Sequence, residues 1–94
     1  MRLEWLKSAE NDRAEIFDYI EADSPQAAVD VDLRIRDQSL TLLQFPLSGR
    51  PGRVRGTREL VIEHTPHIVV YRVEGALIRI LRVLHGARHW PSRF

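Results

Sequence analysis

The chain has 94 residues, 44% hydrophobic and 29% charged, with a net charge of +1 and no cysteine. That length supports one core and one domain, residues 1–94, and the missing thiols exclude disulfide frameworks and thiolate metal sites. The small net charge hides a division: residues 1–49 hold five basic and ten acidic side chains, whereas residues 50–94 hold nine and three. An acidic half and an arginine-rich half suit different partners.

"MRLEWL" alternates, with Leu3 and Trp5 on one side, and reads as an opening strand. Charges at Arg2, Glu4 and Lys7 interrupt any apolar leader, and no run is long enough to span a bilayer, so a cytoplasmic protein without a membrane partner is expected. Ser8 is the expected N-cap of a helix running to Ala22–Asp23, with Ala9, Ile16, Phe17 and Ile20 on its apolar stripe and Arg13 in line with them. Its acids read as a solvated face. Ser24–Pro25 starts a second helix, Ser24 as cap and Pro25 at the first helical position, where it sacrifices no hydrogen bond. Ala28, Val31, Ile35 and Leu42 carry its stripe, and the short connection implies an αα-hairpin.

"FPLSGRPGRVRGT", residues 45–57, has three glycines, two prolines and three arginines, and reads as an exposed loop. Strand-like runs follow at 58–63, 67–73 and 76–85, rich in Val, Ile and Leu. "HTP" makes the first turn. Glu74–Gly75 is the expected second turn, which sets Tyr71 opposite Ile78 and Val70 opposite Arg79. The alternative register puts Arg72 opposite Arg79, a like-charge pair that cross-strand electrostatics disfavour. The order β-α-α-β-β-β implies an α+β fold: a twisted, mostly antiparallel sheet with the αα-hairpin packed on one face and the other face open.

The candidate functional residues lie in the second half. Arg50, Arg53, Arg55 and Arg58 are clustered in the chain, and Arg72, Arg79, Arg82 and Arg88 follow. Planar guanidinium forks suit phosphate or an acidic partner segment. A solvated edge that limits aggregation is the plainer alternative. His85 ends a strand beside Gly86, where an imidazole is suited to acid or base chemistry, or simply bonds the strand end. His85 and His89 are four apart, but Gly86 weakens a helix there and no acidic third ligand lies nearby, so no metal is expected. "GRPGRVRG" lacks the Lys-Ser/Thr of a phosphate-binding loop, and no cofactor is expected.

Together, Ala9, Asp12, Ile16, Tyr19 and Ile20 in the first helix, "SGRPGRVRGTRELVI", and "PHIVVYRVEGALIRILRVLHGARHWP" resemble the toxins of the RelE/ParE superfamily of bacterial type II toxin–antitoxin systems, over nearly the whole chain. The resemblance implies a cognate antitoxin that wraps and neutralises the chain. It also implies one of two targets. RelE-like members cut messenger RNA on the ribosome; that mechanism would use Arg58 and Arg82 as phosphate clamps, His85 as acid or base, the loop arginines as RNA contacts and Arg88 in support. ParE-like members inhibit DNA gyrase without cutting RNA. "ILRVLHGARHWP" is closer to the ParE-like strand end, and no tyrosine follows Tyr71, whereas many of the nucleases carry one near the terminus. Arg50, Arg53, Arg55, Arg79, Arg88 and Trp90 are then the candidate target contacts; Trp90 can stack but cannot transfer a proton.

Overall fold

A computed structural model describes residues 1–94. The elements are β1 (Arg2–Trp5), α1 (Lys7–Glu21), α2 (Pro25–Leu40) with a 3-10 turn at Thr41–Leu43, β2 (Arg50–Pro51), β3 (Arg58–Val61), β4 (His67–Glu74) and β5 (Leu77–His85). The sheet order is β1-β5-β4-β3-β2, with β1 parallel to β5 and every other pair antiparallel. This is the expected α+β architecture, with one addition. Within the arginine loop, Arg50–Pro51 pairs with β3 as a two-residue edge strand.

Helix α2 starts as its sequence dictates: the Ser24 hydroxyl accepts from Ala27 N at 3.1 Å, and Pro25 follows. Helix α1 does not. Its N-cap is Leu6, with no side-chain capping bond, and Ser8 lies inside the helix, donating to Leu81 O at 2.7 Å. A carbonyl from the sheet claims the hydroxyl that the helix terminus was expected to use. Arg13 joins the two helices through paired bonds to Asp32 at 2.9 and 3.0 Å and lies over the Trp5 ring at 4.6 Å. Beneath the hairpin, Ala9, Ile35, Val69, Tyr71, Ile80 and Val83 belong to one buried cluster.

The β4–β5 register corrects the expected one. Gly75–Ala76 forms the turn, so Glu74 pairs with Leu77 and Arg72 with Arg79. Gly75 has φ +60° at the first central position, as a type II′ turn requires. Arg79 also lies 3.6 Å from Glu4 and 3.7 Å from Glu74, and these carboxylates offset the like-charge pair. Tyr71 then pairs with Ile80 but Val70 with Arg82, which leaves Leu81 as the extra residue of a β-bulge.

The second face of the sheet is covered rather than open. Glu59 and Val70 are opposite each other on it, and both they and Ile68 are buried. The loop carrying Arg50 and Arg53 bonds to Glu59, and Gly86 packs beside Ile68. An added Cβ at Gly86 would come within 3.1 Å of Ile68 Cδ1, so a small residue lets the tail pass close to the sheet.

Candidate functional site

Strand β1 ends at Trp5, opposite Ile80, and beyond that point β5 has no strand on its outer side. Helix α1 takes over there. Ser8 bonds the Leu81 carbonyl at the bulge. One turn later, Asp12 accepts from Val83 N at 2.9 Å and from Arg82 Nε and Nη2 at 2.7 and 3.0 Å. Ser8 and Asp12 are four apart, on one face of the helix. Their side chains supply the acceptor and the donor that a neighbouring strand would otherwise offer. The Asp12 carboxylate raises the Arg82 pKa, chiefly through these bonds.

Between α1 and the ends of β4 and β5 runs a groove of about 620 Å³. Ile16, Ile20 and Val31 line its apolar side. All four histidines, His64, His67, His85 and His89, line it with Arg82, Arg88 and Trp90. His67 and His85 are cross-strand partners, their rings edge to face at 5.9 Å. His85 Nδ1 accepts from Ala87 N at 3.1 Å, which leaves its proton on Nε2. Burial, then repulsion from His85 when that ring takes a second proton and from Arg88, lowers the His67 pKa from 6.5. His64 occupies the left-handed region at φ +64°, the one non-glycine residue at positive φ. No three of the His, Asp and Glu side chains converge where a metal ion could sit.

The tail and the arginine loop close one end. Trp90 Nε1 donates to His85 O at 2.9 Å, and the Arg53 guanidinium stacks on the Trp90 ring at 3.6 Å. Glu59 holds that loop from within. Its carboxylate accepts from Arg53 N at 2.7 Å and from Arg50 Nε and Nη2 at 3.2 and 3.0 Å, with a side chain only 1% exposed.

The sequence-derived candidates therefore divide. Arg82, His85, Arg88 and Trp90 share the groove, and Arg53 reaches it through Trp90. Arg50 is committed to Glu59. Arg58 donates to Gly49 O at 2.8 Å and is absent from the groove. Arg55 is exposed in the loop, and Arg79 sits between Glu4 and Glu74, on the strand pair nearest β1. Asp12 and His67 in the groove, and Glu59 beneath the arginine loop, are the residues of the candidate site that the reading of surface acids and isolated histidines missed. For Asp12 a signal existed in the Ser8–Asp12 spacing and in its place within the superfamily pattern. Nothing local marks Glu59, whose partners are fixed by the loop's path.

A two-helix layer on a five-stranded mixed sheet is the fold of a ParE-type toxin. Residues 3–90 match the family model for the ParE toxin of the type II toxin–antitoxin system parDE. The chain is 42% identical over 91 residues to the putative toxin Y4kP of Sinorhizobium fredii, covering 97% of this chain and 94% of that one. It is 36% identical over 84 residues to toxin RelE2 of Caulobacter vibrioides, covering 89% and 93%. A solved structure of the chromosomal ParDE toxin–antitoxin system from P. aeruginosa superimposes with a TM-score of 0.79 at 34% identity, over 88% of this chain and 92% of that one. The chain belongs to the ParE toxin family and is the toxin of a type II toxin–antitoxin module. Such a toxin implies an antitoxin partner. No helix is long and apolar enough to cross a membrane.

Proposed function

We propose that this toxin inhibits DNA gyrase by binding, without catalysing a reaction, and that its antitoxin blocks it. The observation that supports this reading is the dispersal of the groups a nuclease would need. A phosphate clamp requires free guanidinium donors. Arg82 has two of its nitrogens on Asp12, and Arg58 bonds Gly49 outside the groove. His85 thus has neither arginine free beside it. Arg50, Arg53, Arg55, Arg79, Arg88 and Trp90 are candidates for contact with the target rather than for chemistry. Gyrase and ribosomes are both cytoplasmic in bacteria, and the cytoplasm is the compartment this reading requires.

The second reading, a RelE-like ribosome-dependent nuclease, draws on His85 and Arg88 lying in one groove. Purified toxin should block supercoiling of relaxed plasmid by gyrase. Intact supercoiling at micromolar toxin, with new cuts in translated messages that His85→Ala abolishes, would establish the nuclease instead. Undisturbed growth on induction without antitoxin would reduce the chain to an antitoxin-binding relic.

A further inference from the structure

We infer that the histidine end of the groove is a carboxylate seat, in which His67, His85 and Arg88 receive one acidic side chain of an amphipathic antitoxin segment lying along Ile16, Ile20 and Val31. This rests on the toxin–antitoxin reading and names the chemistry of one contact within it.

The seat presents donors that the chain itself leaves unanswered. Bonding of Ala87 N to His85 Nδ1 fixes the tautomer, so His85 offers an Nε2–H. His67 is 8% exposed, and its Nδ1 is buried with no partner, so Nε2 is its one nitrogen open to a ligand, and a carboxylate there selects the form with the proton on Nε2. Arg88 is exposed, and its charge is felt at His67. Of the two acids in the groove wall, Asp12 is committed to Arg82 and Val83, and neither it nor Glu15 bonds the histidines or Arg88. Donors without an acceptor call for a ligand group that only accepts, and a carboxylate does so with charge.

Two further observations favour an acidic protein segment over a nucleic acid strand. Asp12 and Glu15 line the α1 wall, where a chain of phosphates would meet like charge. Ile16, Ile20 and Val31 beside them suit the apolar side of a peptide, and the Trp90 ring at the other end is already covered by Arg53 rather than open to a base. At the rim, His64 is held at φ +64°, a strained conformation of the kind that concentrates where ligands bind.

The test measures binding of the antitoxin encoded beside the toxin gene to wild-type toxin and to Arg88→Gln, His85→Gln and Arg55→Gln. Arg88 and Arg55 are both exposed, and matched melting temperatures establish that these variants fold. Arg88→Gln and His85→Gln should each weaken binding about tenfold, or about 1.4 kcal/mol, with Arg55→Gln within about twofold. One acidic residue of the antitoxin, changed to its amide, should reproduce the loss and add nothing to Arg88→Gln in a double-mutant cycle. Equal affinity for Arg88→Gln and Arg55→Gln overturns the seat while leaving the antitoxin reading intact. Failure of wild-type toxin to bind the antitoxin overturns both. A 12-nucleotide single-stranded RNA that shifts the His67 and His85 imidazole signals, with antitoxin affinity unchanged in Arg88→Gln, assigns the site to nucleic acid.

Discussion

Asp12 and Arg82, 70 residues apart in the chain, form a two-pronged ion pair at 2.7 and 3.0 Å, and the same carboxylate takes the Val83 N–H at 2.9 Å. A helix side chain thereby completes the edge of a strand. Asp12→Asn should destabilise the fold by about 2 kcal/mol, because hydrogen bonds to a charged group contribute more than neutral ones and the Val83 N–H sits at a half-buried edge. Chemical denaturation at neutral pH measures this. Hydrogen exchange at Val83 should quicken beyond the change expected from global stability. A loss under about 0.5 kcal/mol would make the pair ornamental.

Glu59 anchors the arginine loop, and Glu59→Gln tests it. The amide keeps the shape but removes the charge and sets its NH2 against either the Arg50 guanidinium or the Arg53 N–H, each of which is a donor itself. About 2 kcal/mol of stability should be lost. The Arg53–Trp90 stack should loosen with it, giving a red-shifted and more quenchable Trp90 emission, read in a Trp5→Phe background. Unchanged Trp90 emission would mean that the loop holds its place without the carboxylate.

Tyr71 connects the sheet to the turn at 46–49: its hydroxyl donates to Pro46 O at 2.8 Å and accepts from Gly49 N at 3.0 Å. Burial raises its pKa against the opposing pull of the Gly49 bond and the Arg58 charge. Tyr71→Phe strands both backbone partners and should cost about 1–3 kcal/mol. Gly49→Ala should also destabilise, because an added Cβ would lie 2.6 Å from the Tyr71 oxygen and 2.9 Å from Glu59 O. In Tyr71→Phe the penalty of Gly49→Ala should shrink, and a double-mutant cycle reports by how much.

His67 makes stability depend on pH. Its folded pKa is lowered from 6.5, first by burial and then by the His85 and Arg88 charges. The folded chain therefore binds fewer protons than the unfolded chain below that value, and unfolding gains as pH falls. Stability should be fully present above about 6.5 and decline as pH falls below it, until the folded imidazole itself takes up a proton. His67→Gln should flatten that segment of the profile relative to wild type. A parallel decline in both proteins would place the titrating group elsewhere.

Much of the fold is legible in residue order. Ser24–Pro25 dictates the start of α2, the apolar stripes define two helices, and the valine-rich runs define β3, β4 and β5 within a few residues. The site is legible only in part. Arg82, His85, Arg88 and Trp90 stand out by type and proximity along the chain, and they do share the groove. Arg58 stands out equally, yet the pairing of β3 with the Gly49 turn carries it elsewhere.

What the sequence by itself determined is whatever depends on near neighbours: capping, periodicity, turn glycines, and the superfamily pattern carried by the strand ends and the first helix. The tertiary structure alone decided the β4–β5 register, the bulge at Leu81, the burial of Glu59 and the gathering of four histidines in one groove. The reason is reach. A one-residue shift in a strand leaves local preferences almost unchanged but moves every later side chain to the opposite face. Here the choice is biased by partners far along the chain: Glu4 beside Arg79, Ser8 on Leu81, and Asp12 on Arg82 and Val83.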